Sequence, residues 1–429
     1  MAWLGIGLIS LVCLVILFTL LGVLIWNKKN YEGVFMVCGN NDAQIGWSPN
    51  GETWSAGVHV DGGLPFGTGG SANYINKGNN IWVAGGLQAG ARTRQLLWSD
   101  DQGVTWNDST GIQFSNTAGA FGRFFQYANG IWVAGGFPNS TNGYPLLYSS
   151  DGKEWSAAEG DPFGSISDPT INQVKFVYDR WLAGGNDNSN TENVDKIWSS
   201  SDGVTWSAVS GDPFGSSAAS SPRNFSYGNG VYVAVGNDSD NDSVWYSNDG
   251  DTWQAAEDQP FGDTGNVVWD IKFSGGLFVS VGNYVSGGTL SAYSTDGNTW
   301  TTGTFSTDPS GTNFLDNIES PNSYNDKWLI SGGTIWPGST GTSLAYTSID
   351  GMSWDIVEQL IFPQGGIKSS AFGFVGRSFD STDRTLVTGI VDEGESIYYS
   401  KERAGITWTA ASNANEIFGA NVIFEARYG

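Results

Sequence analysis

Hydrophobic positions along this chain come in short bursts at strand spacing from residue 31 onward, never at the spacing of an amphipathic helix. Val34-Phe-Met-Val-Cys38, Ile81-Trp-Val-Ala84, Ile131-Trp-Val-Ala134, Trp181-Leu-Ala183, Val231-Tyr-Val-Ala-Val235, Leu277-Phe-Val-Ser-Val281, Trp328-Leu-Ile330 and Leu386-Val387 are rich in β-branched and aromatic residues and usually end in Gly. Each predicts a buried strand. A more variable strand precedes most of them, as in Asn73-Tyr-Ile, Phe124-Phe-Gln-Tyr, Val174-Lys-Phe-Val-Tyr178, Asn224-Phe-Ser-Tyr227 and Ile271-Lys-Phe.

After each burst comes an aromatic residue, a Ser, then Asp-Gly and Trp. The copies are Trp47-Ser-Pro-Asn-Gly-Glu-Thr-Trp54, Trp98 to Trp106, Tyr148-Ser-Ser-Asp-Gly-Lys-Glu-Trp155, Trp198 to Trp206, Tyr246-Ser-Asn-Asp-Gly-Asp-Thr-Trp253, Tyr293-Ser-Thr-Asp-Gly-Asn-Thr-Trp300, Tyr346 to Trp354 and a degraded Tyr399 to Trp408. Their closing Trp residues recur every 47 to 54 residues. Ser and Asp side chains accept hydrogen bonds from turn N–H groups, Gly supplies positive φ, and the Trp starts the next strand and buries its ring. Asp101, Asp151, Asp202, Asp249, Asp296 and Asp350 are therefore assigned a structural role in these turns.

Four strands per repeat and eight repeats predict an all-β chain: a single eight-bladed β-propeller of four-stranded blades, with seven blades as the alternative count. The first repeat starts directly at its second strand, whereas the chain ends in an extra strand, Asn421-Val-Ile-Phe-Glu-Ala-Arg427. Pairing that strand with the first blade would close the ring and remove its edges. The expected domain covers residues 31–429.

Residues 1–30 belong to a different class. Trp3 to Trp26 contains no charge and is long enough to cross about 30 Å of hydrocarbon as a helix, with a Trp at each end. A cleaved signal peptide would have a basic start and a small-residue cleavage site, and neither is present. One transmembrane α-helix, a single-pass anchor, is the expectation. Lys28 and Lys29 favour holding the domain on the cytoplasmic side, but one lysine pair is weak evidence against translocation, and Asn-X-Ser/Thr triplets such as Asn139-Ser-Thr arise by chance in an Asn- and Ser-rich chain, so sidedness stays open.

Charge narrows the partners. With 43 acidic against 19 basic residues and a net charge of −24, phosphate-driven nucleic-acid binding is excluded. His59 is the only histidine, which excludes His-dependent triads and most zinc sites. Two cysteines, Cys13 and Cys38, offer no disulfide framework.

The repeated turn resembles the Asp box, or BNR repeat, of the propellers found in sialidases, sortilin-type receptors and photosystem-assembly factors. The resemblance covers residues 31 to 429. Most copies depart from the usual Ser-x-Asp-x-Gly-x-Thr-Trp by placing Asp and Gly together; only Ser99 to Trp106 keeps the full spacing. The Asn-, Gly- and Trp-rich, lysine-poor repeats also resemble propellers encoded by large DNA viruses, which implies a virion-membrane component.

Counting back nine places from the second-strand aromatic in each repeat gives Asn73, Arg123, Asn172, Arg223, Trp269, Glu319 and Arg377, with Ala420 in the closing strand. These are expected to ring one mouth of the central channel, on the face away from the anchor. Three arginines in one register compare with roughly 0.2 from composition alone. The resemblance implies an arginine cluster that clamps the carboxylate of an acidic sugar; the alternative is that the arginines cap acidic loops. Sialidase-type glycoside hydrolysis would further need a Tyr nucleophile with a carboxylate partner, for which Glu319 is the candidate, and a separate acid. The leading expectation is a non-catalytic recognition or scaffold propeller that binds glycan or protein on this face, without a cofactor. Asp238, Asp240 and Asp242 could offer oxygens to Ca²⁺, against the alternative of a solvated acidic loop.

Overall fold

The computed structural model describes residues 33–428 except 41–42, 89–93, 141–142, 164–168, 188–194, 216, 218–219, 238–241, 263–265, 284–288, 307–313, 322–326, 334–342, 358–366, 376–381, 390–396, 401–408, 414–415 and 418–422. The anchor segment lies outside these residues, and among the described residues no helix is long and apolar enough to cross a membrane.

Among the described residues the strands form eight sheets of four or five strands. Numbered along the chain, sheets 2 to 8 have inner strands Ser71–Gly78, Phe121–Ala128, Pro169–Val177, Ser221–Gly228, Val268–Ser274, Phe314–Glu319 and Ile367–Val375. Each is followed by three antiparallel neighbours in chain order. Sheet 1 is built from both ends of the chain: Phe35–Gly39 pairs antiparallel with Ile423–Tyr428, which serves as its inner strand. The inner strands pack against one another in sequence order, and the strand Ile423–Tyr428 contacts those of both sheet 8 and sheet 2, completing a circuit.

Side-chain size explains the packing between sheets. A Phe just before each of five inner strands, namely Phe66, Phe114, Phe163, Phe214 and Phe261, is fully or almost fully buried. Its ring lies over a Gly near the end of the second strand: a Cβ on Gly136 would sit 2.7 Å from the Phe114 ring, and one on Gly236 2.9 Å from that of Phe214. The Gly that ends these apolar runs is thus the space into which the Phe fits. The recurring Pro-Phe-Gly places Phe163 and Phe214 at positive φ (65° and 66°), turning the ring into the core.

The Asp-Gly turns join the third to the fourth strand. In seven copies the Ser hydroxyl oxygen accepts from the Gly N–H, as from Gly152 to Ser149 at 2.8 Å and from Gly351 to Ser348 at 2.8 Å. The Asp151 carboxylate accepts from the N–H groups of Lys153 at 2.8 Å and Glu154 at 3.0 Å and from the Ser149 hydroxyl at 3.0 Å. In sheet 1 the Asn50 side chain fills this role. Burial pushes the carboxyls of Asp101, Asp151, Asp202, Asp249 and Asp296 up, but these hydrogen bonds outweigh it and hold them below the usual range. At Asp350 the Ser353 N–H is the largest influence, in the same downward direction.

Where the residues are described, the chain leaving an outer strand runs along the outer strand of the next sheet. Val58–His59 pairs parallel with Thr105–Asp108, Thr110–Gly111 with Glu154–Ala157, and Thr304–Phe305 with Ser353–Ile356. Single bridges, Glu159 to Thr205 and Ser210 to Thr252, do the same elsewhere. The end of sheet 8 repeats the device on sheet 1, where the Ser412 N–H donates to Glu52 O at 3.0 Å and the Trp54 N–H to Asn413 Oδ1 at 2.8 Å.

Candidate functional site

The inner strands of sheets 2 to 8 each carry one irregularity near their start, and the residue skipped by the pairing is Asn73, Arg123, Asn172, Arg223, Trp269, Asp316 and Lys368 in turn. A bulge re-aims its side chain, and those of Arg123, Asn172, Arg223, Trp269 and Asp316 face the central opening. A cavity of about 280 Å³ there is lined by Arg123, Asn172, Arg223, Trp269, Asp316 and Glu319, together with Tyr74, Phe124, Asp270, Lys272 and Arg427.

Five of the residues expected in the ring, Asn73, Arg123, Asn172, Arg223 and Trp269, occupy the bulge register. Glu319 does not: in its sheet the skipped residue is Asp316, and Glu319 lies three residues deeper. The count of nine assumed the two-residue turn that joins first and second strands in sheets 2 to 6, whereas residues 320–327 separate them in sheet 7 and 376–381 in sheet 8. In sheet 8 the register therefore falls on Lys368, and Arg377 lies outside the described residues, as does Ala420. Asp238 and Asp240 also lie outside them; Asp242 accepts a hydrogen bond from Trp245 Nε1 through its main-chain oxygen, at 2.6 Å. Among the described residues no group of His, Cys, Asp and Glu is arranged to hold a metal ion.

Arg123 and Arg223 are the chemical centre of the mouth. Arg123 donates to Asn172 Oδ1 at 3.1 Å and lies 5.3 Å from the centre of the Phe124 ring. Arg223 donates to Asn237 Oδ1 at 3.3 Å and lies 5.1 Å over the Trp269 ring. Their hydrogen-bond partners are neutral amides, and no ion pair joins either to a carboxylate among the described residues. Each guanidinium has five N–H donors. Burial lowers the proton affinity of both, and that of Arg223, further reduced by repulsion from Arg123, falls to about 10. Both guanidiniums thus face one cavity with neutral amides as their hydrogen-bond partners among the described residues, and the carboxylates of Asp270, Asp316 and Glu319 line the same cavity.

Three residues further along the inner strands lies a second charged layer, formed by Lys175, Lys272, Glu319 and Arg427, that the sequence analysis did not single out as a layer. Lys175 donates to Asn224 Oδ1 at 3.1 Å and Phe225 O at 2.6 Å, and burial, with help from Lys272, pushes it down to about 7. Glu319 holds Lys272 in the charged form, while burial pushes the Glu319 carboxyl up against the pull of Lys272 and Arg427. Arg427 donates to the Tyr74 hydroxyl at 2.7 Å. Asp270 accepts from Asn224 Nδ2 and, at 3.2 Å, from the Ile318 N–H. The signal was in the sequence: polar residues interrupt strands whose flanking positions, such as Val174 and Ile271, are buried and apolar.

No protein-family model and no curated protein sequence matches the chain. Solved structures of similar backbone include a GH74 enzyme from Niastella koreensis, 13% identical, with 90% of this chain and 67% of that one covered and a TM-score of 0.26. An ancestral GH74 enzyme is 10% identical, with 89% and 62% covered and a TM-score of 0.43. An N-acetylgalactosamine deacetylase from F. plautii, in complex with blood group B trisaccharide, is 17% identical, with 66% and 82% covered and a TM-score of 0.31. The chain spans less than two thirds of the ancestral enzyme, and likenesses this loose transfer neither a site nor an activity.

Proposed function

We propose that the chain is a membrane-anchored, eight-bladed propeller of the Asp-box type that recognises an anionic glycan at the mouth of its central channel. The observation that carries this reading is the pair Arg123 and Arg223, which line one cavity without a carboxylate ion-pair partner among the described residues. The cavity holds four cationic side chains against three acidic ones in a chain of net charge −24, so positive charge is concentrated where an anion would enter. A guanidinium fork matches the two oxygens of a carboxylate. Trp269 and Phe124 add aromatic surface beside it, suited to the apolar face of a sugar ring. At about 280 Å³ the space lies near the lower end of ligand sites, roughly 300 Å³, and suits one ring-sized group. The loops around the mouth lie on the face away from the point where the chain enters sheet 1, so an anchored domain would present them outward.

A second reading, glycoside hydrolysis of sialidase type, is favoured by one specific feature: Tyr74, Glu319 and Asp270 share the cavity with the arginines. A tyrosine hydroxyl held by Arg427 and a carboxyl pushed up by burial are the materials of nucleophile and acid.

The test is a glycan-array screen of the full chain in nonionic micelles, with an Arg123→Ala/Arg223→Ala variant and a fluorogenic sialoside assay. Acidic glycans are expected to bind the wild type and not the variant. Turnover abolished by Tyr74→Phe would replace the recognition reading with the enzymatic one. A folded protein that binds no anionic glycan refutes both.

A further inference from the structure

The hairpin tips between first and second strands share one end of the assembly with the Asp-Gly turns. Physical chemistry fills these two-residue tips with Asn or Gly, because the backbone needs positive φ. Sheets 2, 3, 5 and 6 comply, with Asn79-Asn80, Asn129-Gly130, Asn229-Gly230 and Gly275-Gly276, and the first residue has φ of 48°, 50°, 51° and 62°. Sheet 4 breaks the rule with Tyr178-Asp179: Tyr178 takes φ 62° while 67% of its surface stays exposed. A bulky residue in this conformation is strained, and an exposed aromatic ring recovers none of that through burial.

The ring is also held rigidly. It stacks on Tyr227 of sheet 5 with centres 4.2 Å apart and planes 9° from parallel. Next to it the Asp179 carboxylate accepts from the Tyr232 hydroxyl, and Arg180 pairs with Asp251 at 2.7 Å. Stacking alone would explain a tie between two sheets, but not the choice of a strained position whose outer ring face is left in water.

Topology supplies the partner. Phe35–Gly39 is entered from this same end, and residues 27–34 separate it from the uncharged Trp3 to Trp26 segment. Eight residues reach at most about 28 Å. In the circuit of eight sheets, sheets 4 and 5, which carry Tyr178 and Tyr227, lie three and four places from sheet 1, so the tyrosine pair is on the side away from the tether. Ile349, 78% exposed on the Asp-Gly turn of sheet 7, lies on this face as well. Tyrosine is enriched where a bilayer meets water. The turn carboxylates on this face repel anionic lipid, which selects a neutral surface.

We propose that the face bearing the Asp-Gly turns rests on the interface of a zwitterionic bilayer, with the Tyr178–Tyr227 pair as its contact on the side away from the tether. This rests on the membrane-anchor reading and is independent of what binds at the mouth.

The experiment uses the full chain, with Cys13 replaced by Ala and Cys38 buried, in phosphatidylcholine vesicles. A fluorophore is placed at Asn248→Cys, on the turn of sheet 5, or at Asn116→Cys, on the opposite face, and quenched by lipids carrying a nitroxide near the headgroup. Quenching at position 248 is expected to exceed that at 116 several-fold, to fall at least twofold in Tyr178→Asn and to persist in Tyr178→Phe. Tyr178→Asn restores the residue its siblings carry, so folding is not at risk. If the chain floats with vesicles but position 248 is unquenched, or Tyr178→Asn changes nothing, the inference is wrong and the anchor reading stands. If the chain does not float with vesicles, both fall.

Discussion

Removing one of the two mouth arginines should make the protein more stable and functionally blind. Arg223 sits half-buried beside Arg123, and its proton affinity is reduced to about 10 by burial and by that like charge. Relative to an ordinary guanidinium, and at 1.36 kcal/mol per pH unit, the charged form is disfavoured in the folded state by about 3 kcal/mol. Water in the mouth screens part of this, leaving about 1–2 kcal/mol. Methionine keeps an aliphatic stem at this position while deleting the charge, so Arg223→Met should gain about 1–2 kcal/mol at pH 7. The sign follows from linkage: a base with a depressed folded value destabilises the fold wherever it is charged, and the penalty fades only as pH rises above about 10. The assay is urea unfolding of the full chain in nonionic micelles, with and without sulfate. Sulfate stabilises folded proteins in general, and it should stabilise the wild type more than Arg223→Met by neutralising the pair. A variant less stable than wild type by 1 kcal/mol or more, together with an equal sulfate response in wild type and variant, would show that the arginines are structural caps and refute the anion site.

Other consequences can be measured on the same preparations. Ser149→Ala should cost about 1–3 kcal/mol, because it strands the buried Gly152 N–H, and should exceed the cost of Asp151→Ala, whose exposed donors turn to water; comparison of thermal midpoints decides. Gly136→Ala should destabilise by roughly 3 kcal/mol, since the new Cβ would stand 2.6 Å from Phe121 O and 2.7 Å from the Phe114 ring; failure to see a drop in midpoint would mean that the ring can move aside. Lys175 is depressed to about 7 in the fold and regains an ordinary value near 10.4 when unfolded. The unfolded chain therefore binds the extra proton between these values, and stability contributed by this group rises from about pH 7 to pH 10. Lys175→Met should flatten that rise in a series of melts.

The local chemistry determined most of the architecture. Strand bursts, Asp-Gly turns and the closing Trp are short-range features in which a few neighbouring residues satisfy one another, so Ser149, Asp151 and Gly152 could be read as a turn from their order alone. The lopsided ends, a missing first strand and a surplus last one, pointed to the pairing of Phe35–Gly39 with Ile423–Tyr428, because a sheet edge with apolar faces needs a partner. The register of Arg123, Asn172, Arg223 and Trp269 was legible because the turns of sheets 3 to 6 have one length. At Glu319 a longer connection shifts the count, and only cross-strand hydrogen bonds show that Asp316 is the residue skipped; Arg377 lies outside the described residues. What the sequence could not contain was proximity across sheets. That Arg123 and Arg223, 100 positions apart, repel each other in one cavity, that burial lowers the proton affinity of Lys175 beneath them, and that Tyr178 stacks on Tyr227 are consequences of wrapping the sheets around an axis. Pairwise charge and burial depend on distances that strand pattern leaves undefined, and the tertiary structure alone sets them.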